Sequence, residues 1–360
     1  MPTINDLFTA DSFRMYVDEY RRNSNTAPFL GDALFPRIHQ DSLSLEYMVA
    51  DEDTPTLLLP TAFNAEVPLR DRIGVDLVNG KMPFFREGFP IQETDIRNIM
   101  EANASNSPKA RDAMRQIYKD SMRLVDSANA TVERMRMQIL ANASGTPQIT
   151  INANGINQVI NYDPKGRYVS NNYAALSGTS VWTAYSTSDP VQNISDGKDA
   201  LEALGIQAVR AVMNKKTFND LMKSQAVWNY AINSPGAAVG ALFHSPEIAK
   251  RVVSENTGVD ILVYNKGFKD ASGNFVPFIA DNVVVLIPDG TLGETRFAPT
   301  PEGYRAARGN TNLATSVVDT GVYVTYVNTT TVPIKEEIVA GMIALPSYEG
   351  IFKTYTIKTA

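Results

Sequence analysis

Side chains that move protons, attack carbonyls or hold metals are scarce in this sequence, and those present are poorly spaced for such work. Imidazole comes only from His39 and His244, far apart, and there is no cysteine. A Ser-His-Asp triad or a zinc site needs several such groups converging, and disulfides and thiolate sites are excluded. The carboxylates Asp51, Glu52 and Asp53, and again Glu336 and Glu337, stand side by side. Glycoside hydrolysis needs two carboxyl groups held about 5–10 Å apart across a sugar; neighbours in sequence read instead as solvated charge. Asp281-Asn282 and Asp289-Gly290 have the residue types of calcium ligands but not the ligand loop of about twelve residues. His244 stands just before Ser245-Pro246, a helix start. No phosphate-binding glycine loop, nucleophile elbow or His-Glu-x-x-His occurs. The Asn-x-Ser/Thr triplets at Asn103, Asn129, Asn142, Asn193 and Asn328 read as products of an Asn- and Thr-rich composition, because MPTINDLFTADSF lacks a secretory layout. The expectation is a non-enzyme with no cofactor and no metal.

Composition agrees with that reading. The 360 residues are 44% hydrophobic and 20% charged, enough for two or three core regions. A formal net charge of −6 gives no basic field to hold nucleic acid. No apolar run is long enough to span a bilayer, so no membrane is expected and a cytoplasmic location is.

The elements that must position whatever the chain does are organised around Ser107 to Ala143. Ser107-Pro108 is a helix start and Gly145 with Pro147 a stop. Between them Met114, Ile117, Ser121, Leu124, Val125, Ala128, Val132, Met135 and Ile139 recur every three or four residues, one apolar stripe. Arg111, Arg115, Lys119, Arg123, Glu133, Arg134 and Arg136 are expected on the other faces. Such a helix runs about 50 Å at 1.5 Å per residue and needs a flat sheet beneath it.

Ahead of it, Thr9 and Asp11 open a short helix with Phe13, Tyr16, Val17 and Tyr20 on one face, either an arm for another subunit or a satellite of its own domain. From Pro28 to Ile99 prolines punctuate short strand-like pieces: Leu43–Val49, Thr56–Leu59, Glu66–Leu69, Gly74–Val78 and Met82–Phe85, with a turn signal at Asn79-Gly80. This is an extended β arm. A long apolar arm left in water invites aggregation, so burial against a neighbour is expected, through Arg70, Arg72, Leu77, Phe84, Phe85 and Arg86; a solvated hairpin is the plainer alternative. After the long helix come strands at Gln148–Asn152 and Asn157–Tyr162, with Trp182 and Tyr185 as anchors. Residues 196–299 alternate: a helix at Lys198–Leu204, a strand at Ala208–Met213, a helix capped by Thr217, a loop at Asn233–Gly240, a helix from Ser245, and strands at Val259–Tyr264, Phe275–Ile279 and Asn282–Ile287. The tail returns to strand, with Val322, Val324 and Tyr326 alternating with Tyr323, Thr325 and Val327, and a last strand at Ile351–Ile357. These pieces are expected to run under the long helix.

Three stretches carry a family resemblance: Tyr162-Asp163-Pro164 through Trp182 to Asp189-Pro190, Val259 to Asp289 (VDILVYNKGFKDASGNFVPFIADNVVVLIPD), and the terminal IALPSYEGIFKTYTI. With the order arm, β arm, long helix, inserted α/β region and β return, the chain resembles the major capsid proteins of tailed bacteriophages, of the lambda type (protein E). The resemblance implies an α+β fold of the Hong-Kong-97 type, with a long spine helix over a β-sheet, an extended β-hairpin loop and an inserted α/β axial domain. It implies an N-terminal arm at 1–36, arm strands and extended loop at 37–106 with the loop tip at about 60–88, a peripheral domain at 107–195 with the spine at 107–143, an axial domain at 196–300, and a return at 301–360. The implied function is a major capsid protein that self-assembles through pentamers and hexamers into an icosahedral shell around double-stranded DNA, without sequence-specific binding. Scaffolding, portal and decoration proteins are the implied partners, the virion capsid the location and the host bacterial cytoplasm the place of assembly. Two other readings stand beside it, an encapsulin-like shell around protein cargo and a β-rich carbohydrate-active enzyme.

Overall fold

The computed structural model describes residues 28–50, 75–91, 93–94, 97, 108–153, 155–233, 245–270, 272–308, 314–318, 321–329 and 335–360. The helix expected from Thr9, the strands expected at 56–59 and 66–69, and most of the loop expected at 233–240, with His244, lie outside those residues. In chain order the strands are β1 (Arg37–His39), β2 (Ser44–Ala50), β3 (Val75–Lys81), β4 (Phe84–Ile91), β5 (Gln148–Ala153), β6 (Ile156–Asn161), β7 (Tyr173–Ala175), β8 (Arg210–Met213), β9 (Asp260–Val263), β10 (Gly267–Lys269), β11 (Phe275–Pro277), β12 (Val283–Ile287), β13 (Thr295–Ala298), β14 (Ala314–Val318), β15 (Val322–Thr329), β16 (Lys335–Pro346) and β17 (Tyr355–Lys358). The helices are α1 (Leu30–Leu34), α2 (Pro108–Leu140), α3 (Arg167–Asn171), α4 (Pro190–Ala203), α5 (Lys215–Lys223), α6 (Gln225–Asn233), α7 (Pro246–Thr257) and α8 (Pro301–Ala307).

Helix α2 is the expected long helix, 33 residues. Ser121, Leu124, Val125, Val132, Met135 and Ile139 are buried as the stripe requires. The stripe widens toward the C-terminal end, where Met137 and Leu140 are enclosed too. Glu133 and Arg136, expected on outer faces, are fully buried, while Arg134 is exposed and lies 5.0 Å over the Phe268 ring. A buried carboxylate needs donors, and Glu133 Oε1 accepts the Gly31 N–H at 3.1 Å.

The chain divides into two compact units, each built from three stretches. The first takes residues 1–45, 80–133 and 294–347. Its sheet has the order β1-β13-β16-β15-β14, with β4 paired along the other side of β16. β1 runs parallel to β13; the other pairings are antiparallel. The tail strands β14 to β16 thus form this sheet with β4, in the unit that also holds most of α2. The leading segment is tied in by polar contacts: Thr295 Oγ1 donates to the Phe35 carbonyl at 3.0 Å, and Arg37 reaches Asp32 at 3.1 Å and Asn129 at 2.9 Å.

The second unit takes residues 46–79, 134–293 and 348–360. Its main sheet has the order β7-β17-β12-β8-β9. Trp182, Ile194, Leu201, Met213, Leu221 and Val253 belong to one core packed against it. The division differs from the expected one in two places. Residues 134–195 fall in the same unit as 196–293. The last strand does not return to the other sheet: β17 pairs with β12 and β7, because Ile357, fully enclosed, belongs to the core of this unit.

Local chemistry explains several helix ends. Ser245 caps α7 by accepting from Ile248, and Gly258, at φ 68°, ends it in the left-handed region that costs glycine nothing. Helix α5 is capped by Asn214, which accepts from Thr217 N–H at 2.8 Å, and not by Thr217; the strand ends one residue before Asn214, so that asparagine is the first free residue. Asn79-Gly80, read as a turn, lies inside β3, which pairs with β2. Pairing to a neighbouring strand overrides the local turn preference.

The second unit holds a tyrosine–threonine network. Tyr168 OH bonds Thr356 Oγ1 at 2.8 Å and Thr354 Oγ1 at 3.2 Å, and Tyr348 OH bonds Thr354 Oγ1 at 2.6 Å. Burial pushes the Tyr168 phenol up to about 12, partly offset by the two threonines. Burial raises Tyr162 and Tyr348 well above the usual phenol range. Below pH ~10 both folded and unfolded states hold these protons. Between pH ~10 and 12 only the unfolded state ionises at Tyr168, so stability present below pH 10 is lost as pH climbs through 12. Thermal melts at stepped pH should therefore hold steady to pH ~10 and then fall steeply. Tyr168→Phe should flatten that fall. A melt unchanged to pH 12 contradicts the network.

Candidate assembly surface

The six residues expected to meet a neighbour are distributed unevenly. Arg70 and Arg72 lie outside the described residues. Leu77 is in β3 of the β2-β3 ribbon. Phe84, Phe85 and Arg86 open β4, and each is held in register by β16: Phe84 opposite Ile343, Phe85 opposite Met342, Arg86 opposite Gly341. The stretch 84–88, placed at the end of the projecting loop by the sequence reading, is therefore part of a sheet. Its pairing continues through all eight residues to Ile91, and that much backbone hydrogen bonding fixes it there.

β4 has one paired side. Among the described residues β16 is its only strand neighbour. Phe84 and Phe89 are each about two-fifths exposed, and Pro90 sits in the strand, as proline does on sheet edges. Arg86, about half exposed, is already engaged within its own chain. Its guanidinium lies 5.0 Å over the Phe84 ring and forms an ion pair with Glu302 at the start of α8. Gly303, next in that helix, lies against the Tyr323 ring, which leaves no room there for a Cβ. Glu302 was invisible in sequence because it lies far along the chain from Arg86.

An open groove of about 610 Å³ is lined by Asp41, Leu43, Pro299, Thr300, Pro301, Tyr304 and Ile343. Asp41 is its one ionisable carboxylate. Leu43 and Tyr304 are each about half exposed, and Arg308 covers the Tyr304 ring at 4.4 Å. Such a lining offers mainly apolar contact.

Of the carboxylates weighed earlier, Asp51, Glu52 and Asp53 lie outside the described residues. Glu336 is buried while Glu337 is exposed, because neighbours on a strand face opposite sides. Burial, and then the nearby Glu336 carboxyl, raise the Tyr326 phenol well above its usual range. Asp281 accepts from Asn214 at 2.6 Å and pairs with Lys216 at 3.4 Å; Asp289 faces Arg210 at 3.5 Å. Among the described residues no three His, Asp or Glu gather as a metal would require, and no helix is long and apolar enough to cross a membrane.

The family model described as phage major capsid protein E matches residues 17–323. No curated protein matches the sequence. A prophage protein from Escherichia coli CFT073, assigned as a capsid protein, is 14% identical, with 98% of this chain and 99% of that one covered and a TM-score of 0.60. A phage-related protein from Bordetella bronchiseptica RB50 is 13% identical, with 96% and 97% covered and a TM-score of 0.51. At such low identity the likeness is one of fold, and the fold is the α+β, Hong-Kong-97-type capsid fold. With the family model spanning most of the sequence, the chain belongs to the phage major capsid protein E family.

Proposed function

We propose that this chain closes into pentamers and hexamers and then into an icosahedral shell around double-stranded DNA, in the cytoplasm of a host bacterium. The family match over residues 17–323 carries the reading. The open side of β4 and the apolar groove support it, since a shell subunit works through edges and not through a cleft. Scaffolding, portal and decoration proteins would act on the same surfaces. The net charge of −6 suits a wall along which DNA slides without adhering; tight DNA binding at physiological salt would contradict that part. Negative-stain microscopy of the expressed chain tests the whole: particles, rings or hexamers support it, and a stable monomer under all conditions defeats it.

The stretch around 60–83, together with the open side of β4, is the part we assign to the contact with a neighbouring subunit. Leu77→Asp combined with Phe84→Asp should leave thermal melts within a few degrees, because Phe84 is partly exposed and an aspartate there still meets Arg86. Particle yield should collapse. Normal particles from the double variant would remove this region from the interface.

A further inference from the structure

The hairpin β5–β6 in the second unit has a feature the fold does not use. Its strands pair antiparallel from Gln148↔Asn161 to Ala153↔Ile156, and among the described residues neither strand has another strand beside it. Exposed sheet edges are ordinarily protected by lysine, proline or an inward charge. Here no Asp, Glu, Lys or Arg stands between Arg136 and Asp163, and neither strand contains proline. One side of the hairpin is anchored, with Ile149 and Ile160 buried. The other presents Thr150, Asn152, Asn157 and Asn161 around Val159, which is 56% exposed.

The register tells which backbone groups are free. Tyr162 N–H donates to Pro147 O at 2.9 Å. Hydrogen-bonded and non-bonded pairs alternate along an antiparallel ladder, so 149/160, 151/158 and 153/156 exchange bonds. The N–H and C=O of Asn157, Val159 and Asn161 then point away from β5, and those of Gln148, Thr150 and Asn152 point away from β6. β6 is the better edge, because Val159 sets an exposed apolar side chain at its centre.

We propose that β6 pairs antiparallel with β6 of a second copy of this chain, about a two-fold axis at Val159. The proposal rests on the shell reading, which requires copies to meet. The occupant follows from charge. About a two-fold axis the residue on the axis meets its own copy, where a charge would face its like; Val159 is uncharged, and no charged residue flanks it between Arg136 and Asp163 to repel the same edge of a second copy. Antiparallel pairing of identical strands is self-complementary: Val159 faces its counterpart, and Asn157 faces Asn161 of the other copy.

Two variants test it on the full chain. Val159→Pro removes an outward N–H without touching a hairpin bond, a placement proline tolerates on an edge. Each two-fold contact then loses two hydrogen bonds, and assembly should fall about tenfold or more with the melt nearly unchanged. Thr150→Pro makes the same change on the β5 edge and should assemble normally. Equal assembly of Val159→Pro and the parent overturns the proposal, as does an equal loss with Thr150→Pro. Because the chain has no cysteine, Val159→Cys can form only a 159–159 disulfide. Facing Cα atoms about 5.5 Å apart suit one, so mild oxidation of assembled protein should give a covalent dimer, and its absence overturns the pairing. A parent chain that forms no particles at all is the failure of the shell reading; a 159–159 dimer in that protein still supports the edge.

Discussion

Val125→Pro should yield no soluble chain. Val125 is 1% exposed near the middle of the long helix. Proline there removes a helical hydrogen bond and collides with the preceding turn, at a cost of about 3 kcal/mol or more. Loss of the buried valine packing adds about 2 kcal/mol. Domains hold only about 5–15 kcal/mol in reserve, and this helix supplies residues to both units, 108–133 to one and 134–140 to the other. One lesion therefore strikes two cores. Val125→Ala is the control: it keeps the backbone bond, costs about 2 kcal/mol, and should remain soluble with native helix content by circular dichroism. Soluble, assembling Val125→Pro would show that the helix is not the support of either unit.

The second large effect is expected at Trp182. It is fully enclosed in the core of the second unit, and its Nε1 donates to Asn193 Oδ1 at 3.0 Å. Its backbone N–H donates to Thr359 O at 2.9 Å, which fixes where the ring enters. Truncating a buried tryptophan to alanine costs about 3–5 kcal/mol, and the stranded Asn193 amide adds about 1 kcal/mol. The melting temperature should drop by about 10 °C or more. Trp182→Phe keeps most of the apolar volume and loses the hydrogen bond, so it should fall between. Equal melts for Trp182→Ala and the parent chain would mean that this core does not limit stability.

Much of the fold was legible because its signals are local. The stripe on α2 needs only its own spacing, and Ser245-Pro246 needs only a capping oxygen and a missing N–H. The same signal at Thr300-Pro301, where Thr300 caps α8, escaped notice because that helix has seven residues and little apolar rhythm. α6 was missed for the opposite reason: Val227, Trp228 and Ala231 carry its buried side, but no capping signal announces it. Long-range pairing was not legible at all. Nothing local says that Phe84–Ile91 belongs beside Lys335–Pro346, or that β17 joins β12. The burial of Glu133 and Arg136 was misread for the same reason, since a charged residue is enclosed only when distant groups answer it. For the assembly surface, sequence picked out Phe84 and Arg86 but set Arg86 against a neighbour, when Glu302 of its own chain already holds it.

The placing of β17 has a consequence for the growing chain. In the order β7-β17-β12-β8-β9 it is an interior strand, so the sheet has a gap until residues 355–358 leave the ribosome. β12, β8 and β9 are made earlier and can pair among themselves, but β7 has no strand to join until β17 is made. A subunit cut short before residue 355 would therefore keep a three-stranded remnant, with one side of β12 open and β7 unplaced.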